Sequence, residues 1–483
     1  MESHPPTVLP KAHGLVARLL ASAVVWSWLF SGLRLASGLV LLPLLWRLLP
    51  KNDFGMYYVF VQLGTVVPMM DFGFSLSVER SLAYARAGAS SLEAIGVGAL
   101  GTGGQPNRTL MAEIAHSSRR LYRWLSLGTA AVLLVAGTLS IGLGANLTVS
   151  PTRTWCAWGV WLVSLSLDLY TSYWVALLRG LNQVTTSARW LSLAYGLRLA
   201  LSAVLLLAGA GLMAVPVASL ISGILLRAGV GREVRRVLPD SWEVSEGSTR
   251  RILRALWPNS WRLGVQLAAM FASSYAFTVL CLARFGPATN GEYGLSVQIM
   301  NIAVGVAAVW VTVKWPAVAQ LRMQGRLDSI RSLLRPRFWR QNFTYLVLAG
   351  AAITLGPWLL AQVSPDKAML PRPLLVLLAL NAFGELNFAF WTTLISTENR
   401  IPAFRAFTAT QVASVIAASS FVLFAGGGLE VLVVVPLLLG SAFNYWWWAR
   451  EGARMLGTTL TRFLFSSTPS PTHGNPSPTP DPA

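Results

Sequence analysis

Charge in this chain is confined to short segments between apolar blocks of about 20 residues, the length an α-helix needs to cross a hydrocarbon layer roughly 30 Å thick. The blocks recur from the first tail almost to the last. Only 12% of the 483 residues are charged and 54% are hydrophobic, whereas soluble domains carry about 25% charged residues. A soluble globular enzyme is therefore excluded. The fold class is all-α, a polytopic membrane protein.

At about 20 apolar residues per crossing, the spans lie near 22–45, 54–72, 124–145, 155–177, 187–208, 211–227, 257–282, 293–313, 342–363, 373–395, 402–424 and 429–449. Twelve spans return both termini to one side. They divide the chain into a tail over 1–21, an N-lobe over 22–227, an inter-lobe loop over 228–256, a C-lobe over 257–449 and a tail over 450–483. Pro, Ser and Thr dominate that tail from about residue 466, a composition that predicts disorder. A cytoplasmic N-terminus puts 29 of the 38 Lys and Arg on the cytoplasmic side. Only Arg47, Lys51, Arg153, Arg284, Lys367 and Arg372 fall in the opposite loops, so loop charge orients the chain. The net charge of +19 then calls for anionic lipid headgroups and for no nucleic acid. No cleavable signal peptide is expected, because the small residues Ala21-Ser22-Ala23 precede the first apolar core instead of following it.

Few soluble functions fit between these spans. Cys156 and Cys281 sit in apolar stretches and form no disulfide or zinc framework. The longest loop, roughly 76–120, holds Gly101-Thr102-Gly103-Gly104 without the Lys-Ser or Lys-Thr of a phosphate loop. No catalytic residue, metal or cofactor is expected.

The two halves echo each other. Spans one and two are joined by Leu49-Pro50-Lys51-Asn52-Asp53-Phe54-Gly55-Met56-Tyr57, and spans seven and eight by Gly286-Pro287-Ala288-Thr289-Asn290-Gly291-Glu292-Tyr293. A Gly-x-Tyr opens the second helix of each pair, with Gly55 shifted by 236 to Gly291. Two six-span halves related by duplication form the architecture in which a transport site lies between the halves, here two six-helix lobes around a central cavity.

These residues resemble the polysaccharide transport flippases, the Wzx-like carriers of lipid-linked oligosaccharides within the multidrug, oligosaccharidyl-lipid and polysaccharide exporter superfamily. The resemblance rests on a first helix with a central Arg34 leading into the Leu-Pro-x-x-Asp-Phe-Gly-x-Tyr linker, on Met70-Asp71-Phe72-Gly73 ahead of Arg80, and on the second Gly-x-Tyr. It covers the first eighty residues and residues 255–300; elsewhere only span count and loop charge match. It implies a carrier in the bacterial cytoplasmic membrane, without enzymatic activity, that moves a polyprenyl-pyrophosphate-linked oligosaccharide by alternating access for O-antigen or exopolysaccharide synthesis. A polysaccharide polymerase and chain-length machinery are its implied partners.

Arg34, Arg198, Arg262, Asp168 and Glu385 fall within spans. A charge at the bilayer centre costs at least about 2.5–3.5 kcal/mol, so each should face protein or a watery cavity. Helical spacing gives them polar company: Ser27 and Ser31 with Arg34; Trp161, Ser164 and Thr171 with Asp168; Tyr195 and Ser202 with Arg198; Asn381, Phe388 and Thr392 with Glu385. Arg262 lies near the cytoplasmic end, beside Trp257 and Trp261, where it can snorkel. One reading makes Arg34, Arg198 and Arg262 a cationic site for the pyrophosphate, because a guanidinium stays charged and meets two phosphate oxygens at once. Trp161 and Tyr195 then stack on sugar rings. The other reading is interhelical ion pairing, Arg34 or Arg198 with Asp168, without substrate contact. His4, His13, His116 and His473 all lie in tails or loops, so an intramembrane proton carrier must be a carboxylate, Asp168 or Glu385. Asp71, at the edge of span two, is placed for a helix-end or gate contact more than for coupling.

Two rival functions remain open. A cation-coupled multidrug exporter keeps the fold, but arginines at the midplane argue against cationic cargo. A membrane-embedded polysaccharide polymerase or glycosyltransferase calls for a large soluble loop with catalytic carboxylates, and the loops are short and lack an Asp-x-Asp.

Overall fold

The computed structural model describes residues 41–91, 105–238, 246–397 and 403–465, together with Trp26, Leu29, Gly32 and Leu33. Every regular element among them is helical. Among the described residues, nine helices are long and apolar enough to cross a membrane, or ten with one bent pair taken as a span. The first expected span lies mainly outside the described residues, and the seventh and eighth are two helices that meet end to end at a kink at Gly286.

Breaks between helices have local causes. A helical stretch over 41–48 ends ahead of Pro50, which precedes α1 (Lys51–Gly64). With α2 (Val66–Met70) and α3 (Phe74–Arg86), α1 forms the second span. Phe72 at φ 50° and Gly73 at φ 71° turn the chain between α2 and α3. At the start of α4 (Arg108–Gly144), the Asn107 side chain accepts the Leu110 N–H at 3.0 Å. Ser150 does the same for the Arg153 N–H at 3.4 Å ahead of α5 (Pro151–Gly180), where the proline's missing N–H is no loss. Two further spans, α6 (Val184–Leu207) and α7 (Ala214–Val237), complete the first half.

In the second half, α8 (Glu246–Thr312) is interrupted only at Gly286, whose φ of 83° suits a glycine. A short α9 (Trp315–Met323) leads to α10 (Leu327–Thr354), which meets α11 (Gly356–Val363) at 47° just ahead of Pro357. Then come α12 (Arg372–Ser396), α13 (Phe404–Phe424), α14 (Val431–Leu439), a π-turn over Gly440–Asn444, α15 (Tyr445–Met455) and α16 (Leu460–Phe465).

Parts of the expected basic loops are helix. Residues 108–123 belong to α4 and residues 228–237 to α7. Ile114, Ala115, Ser118 and Tyr122 recur at helical spacing and are buried, so an apolar face carries α4 past the membrane while Arg108, Arg120 and Arg123 face out.

The halves share a core at one end and keep separate cores at the other, and a smaller cluster of Phe277, Cys281, Val422 and Leu432 lies within the second half. Away from the basic loops, Trp46, Phe54, Met56 and Leu63 share one cluster with Leu282, Leu295, Met300 and Tyr345. At the basic end, Phe74, Tyr122, Trp174 and Val234 form a core of the first half, while Val311, Ile330, Trp391 and Phe463 form a separate one of the second. The shared core is pinned by backbone approach. A Cβ on Gly55 would stand 1.7 Å from the Pro287 carbonyl oxygen, and one on Gly291 would stand 3.2 Å from the Gly55 Cα. Around that contact, Asn290 Nδ2 donates to the Gly55 carbonyl at 3.0 Å, Tyr58 donates to Gln298 at 2.7 Å, and Lys51 pairs with Glu292 at 3.3 Å. Nearby, the Trp46 indole N–H donates to the Leu360 carbonyl at 3.1 Å and the Lys367 amine to the Trp46 carbonyl. Burial there pushes the Lys367 amine below its ordinary range.

Candidate functional site

Three helices bring polar groups together in the first half. Arg198, near the middle of α6, donates through Nη2 to Asp168 Oδ2 on α5 at 3.1 Å and through Nε to Ser222 Oγ on α7 at 3.3 Å. Its guanidinium also lies 5.3 Å from the Tyr195 ring centroid, one turn earlier on the same helix. Gly223 leaves room for the carboxylate, since a Cβ there would stand 3.0 Å from Asp168 Oδ1.

This ion pair is only partly enclosed. The two side chains are 26% and 24% exposed. Lipid cannot solvate such a pair, so the open side has to meet water or other polar groups of the protein. A guanidinium has five N–H donors, and the two named bonds engage two of them. Arg198 can therefore hold Asp168 and still meet an incoming anion.

The second half carries a carboxylate of its own. Glu385 on α12 is exposed, yet it lies within electrostatic reach of Tyr293 on α8, Tyr345 on α10 and Tyr445 on α15. Asn381 Nδ2 donates to Glu385 Oε1 at 3.2 Å, and the Tyr445 hydroxyl donates to Asn381 Oδ1 at 2.8 Å. Of the remaining residues on that face, Phe388 stacks on Phe407 at 5.4 Å and Thr392 bonds the Phe388 carbonyl at 2.8 Å, so both are engaged in packing.

Other sequence candidates have different surroundings. Trp161 is buried, and its indole N–H donates to the Phe60 carbonyl of α1 at 2.9 Å. Its ring also lies beside Gly64 of α1. Ser164, Thr171 and Ser202 are buried as well. Asp71 accepts from the Tyr122 hydroxyl of α4, from the Ser75 hydroxyl at 2.7 Å and from the Ser75 N–H at 3.2 Å. These contacts anchor the start of α3 onto α4. Arg34 lies outside the described residues, as does the side chain of Arg262. The described positions beside Arg34 run along α6: the Trp26 carbonyl accepts from Ser192 at 3.2 Å, and Leu33 approaches Gly196.

Sequence reading missed Ser222 and Tyr445. Ser222 lies on α7, where no charge drew attention to its face, and Tyr445, which reaches Asn381, follows the π-turn over Gly440–Asn444, where the α-helical spacing is broken. Among the described residues, no three His, Cys, Asp or Glu side chains come together as metal ligands.

Residues 23–322 match the family described as "Polysaccharide biosynthesis protein". No curated protein matches the chain. Solved structures similar to it include an inward-facing multidrug resistance MATE family transporter of the MOP superfamily, with TM-score 0.63 and 14% identity over 89% of this chain and 95% of that one. An outward-facing MATE transporter gives TM-score 0.51 and 15% identity over 91% and 97%. A MOP superfamily transporter from Pyrococcus furiosus, described as having a binding pocket of reverse polarity, gives 0.50 and 13% over 92% and 98%. At these identities the likeness is one of fold, that of a multi-pass membrane transporter.

Proposed function

We propose that this chain, which belongs to the polysaccharide biosynthesis protein family, is a flippase that moves a polyprenyl-pyrophosphate-linked oligosaccharide across the bacterial cytoplasmic membrane by alternating access of an N-lobe and a C-lobe. The observation that carries the reading is the half-open Arg198–Asp168 pair midway through α6. A diphosphate competes with Asp168 for one guanidinium. It brings more negative charge than a carboxylate, and its oxygens can meet the planar fork in pairs. Protonation of Asp168 frees Arg198 for the cargo; once the cargo has left, Asp168 gives its proton back to water and the internal pair reforms. Arg34 is assigned to the same cationic site, since the described residues flanking it border α6. Arg262, at the basic end, is a further contact on the entry path, and Tyr195 supplies an aromatic face. Glu385 is a second coupling carboxylate.

The shared core at one end and the separate cores at the other favour a cavity open toward the basic, cytoplasmic side, where lipid-linked sugars are assembled. A polymerase and chain-length machinery then act on the delivered glycan.

A second reading, a cation-coupled multidrug exporter, is favoured by the MATE neighbours and by Glu385 in the second half. Reconstituted vesicles separate the two. The full-length protein should speed translocation of a fluorescent polyprenyl-diphosphate oligosaccharide at least about tenfold over protein-free vesicles and leave ethidium distribution unchanged. Ethidium export without lipid translocation would establish the exporter instead.

A further inference from the structure

A cavity of about 750 Å³ opens at the basic end of the first half, apart from the ion pair described above. Arg119 of α4, Tyr170 and Trp174 of α5, and Arg227, Arg232 and Arg235 of α7 wall it, and no carboxylate is among its lining residues. Arg236 also borders it, paired with Glu233 at 3.5 Å. Arginines in the last turn of α7 have an ordinary explanation, since cations favour helix C-termini and headgroup depth. That explanation covers Arg235 and Arg236. It does not reach Arg227, nearly three turns earlier.

Arg227 is held in place without being satisfied. Its guanidinium lies 4.4 Å from the Tyr170 ring centroid and 5.1 Å from that of Trp174. Its Nη1 is buried and has no hydrogen-bond partner among the described residues. A buried donor left unpaired costs about 1–3 kcal/mol, and more when charged. The aromatic wall is itself fixed: the Arg119 guanidinium lies within electrostatic reach of the Tyr170 hydroxyl, and a Cβ on Gly231 would come within 2.6 Å of the Trp174 ring. Beside this basic surface, Ile224 lines the cavity while 53% exposed. An apolar strip next to clustered guanidiniums suits a ligand with a phosphate at one end and hydrocarbon at the other.

We propose that this cavity binds the phosphate-bearing headgroup of an anionic membrane lipid, with Arg227 as its central contact and Arg119, Arg232 and Arg235 around it. Basic pockets between transmembrane helices recognise such headgroups through paired N–H contacts to phosphate oxygens. The site stands whether or not the transported cargo is a glycolipid.

Native mass spectrometry of the full-length protein in neutral detergent tests it, with phosphatidylglycerol, phosphatidylcholine and inorganic pyrophosphate as probes. Wild type should retain phosphatidylglycerol at least tenfold better than Arg227→Gln, with Arg227→Lys between them and phosphatidylcholine weak on all three. Arg232→Gln, at an exposed position that leaves the packing intact, should lose several-fold. Arg450→Gln, which alters an arginine lying over Trp446 instead, should match wild type. Equal phosphatidylglycerol retention by wild type, Arg227→Gln and Arg232→Gln would overturn the proposal. So would saturable pyrophosphate binding without phosphatidylglycerol retention, which would assign the cavity to a free anion.

Discussion

Asp71 shows how one carboxylate can be occupied by architecture. It takes the Tyr122 hydroxyl and both donors of Ser75, which ties α3 to α4 just after the left-handed turn at Phe72 and Gly73. Asparagine keeps an acceptor oxygen there, so Asp71→Asn should transport within about twofold of wild type. Asp71→Leu strands the buried Tyr122 hydroxyl, at a cost of about 1–3 kcal/mol, and should lower the unfolding midpoint in detergent by several degrees. Thermal melts and vesicle transport on both variants check this; loss of transport in a stable Asp71→Asn would return Asp71 to a coupling role. At the same scale, Arg198 and Asp168 are half-open where Asp71 is closed. Their pairing is therefore worth about 1–3 kcal/mol, between the exposed and buried limits for ion pairs.

Among the elements, the repeat is the part of the fold most legible in the sequence. The shift carrying Gly55 onto Gly291 marks two residues that meet: each lacks a side chain because the other half's backbone lies against it. Gly55→Ala should force α1 off α8 and weaken the closed end of the molecule. A cysteine pair at Lys51 and Glu292, which are ion-paired in wild type, should then crosslink at least about fivefold more slowly in the Gly55→Ala background; an unchanged rate would show that this approach does not hold the halves together. Helix positions were legible from block length, because the membrane forces backbone groups to pair within each segment. Helix lengths were not. α4 continues beyond the membrane on an apolar face whose period is masked by arginines, and the bend between α10 and α11 leaves no gap in the hydropathy. The site was half legible for a related reason. Charges inside apolar spans announce Arg198 and Asp168, whereas Ser222 and the Tyr170, Trp174 and Arg227 cluster belong to helix faces that only packing brings together.

For the whole molecule, loop charge predicts which end faces the cytoplasm. With exposed Cys156 first replaced by serine, cysteines at the exposed positions Val149 and Pro365 should react with an impermeant maleimide added to intact cells. One at exposed Gln324, at the basic end, should react only after permeabilisation. The reverse pattern would invert the molecule and place the arginine-lined cavity around Arg227 on the outer side. Under the proposed function, this orientation opens Arg198 to the leaflet where lipid-linked sugars are made.

The central claim is that Arg198 binds the diphosphate and is more than a strut between α5 and α6. The most direct measurement is the initial rate of polyprenyl-diphosphate oligosaccharide translocation in vesicles for wild type, Arg198→Ala, Arg198→Lys and the charge exchange Asp168→Arg with Arg198→Asp, each matched for folded protein. Arg198→Ala should fall at least about 100-fold and Arg198→Lys about tenfold, because the charge survives while the fork is lost. The exchange should restore thermal stability without restoring transport. A wild-type rate in Arg198→Ala, or recovery of transport in the exchange, would contradict the account and leave the pair a structural one.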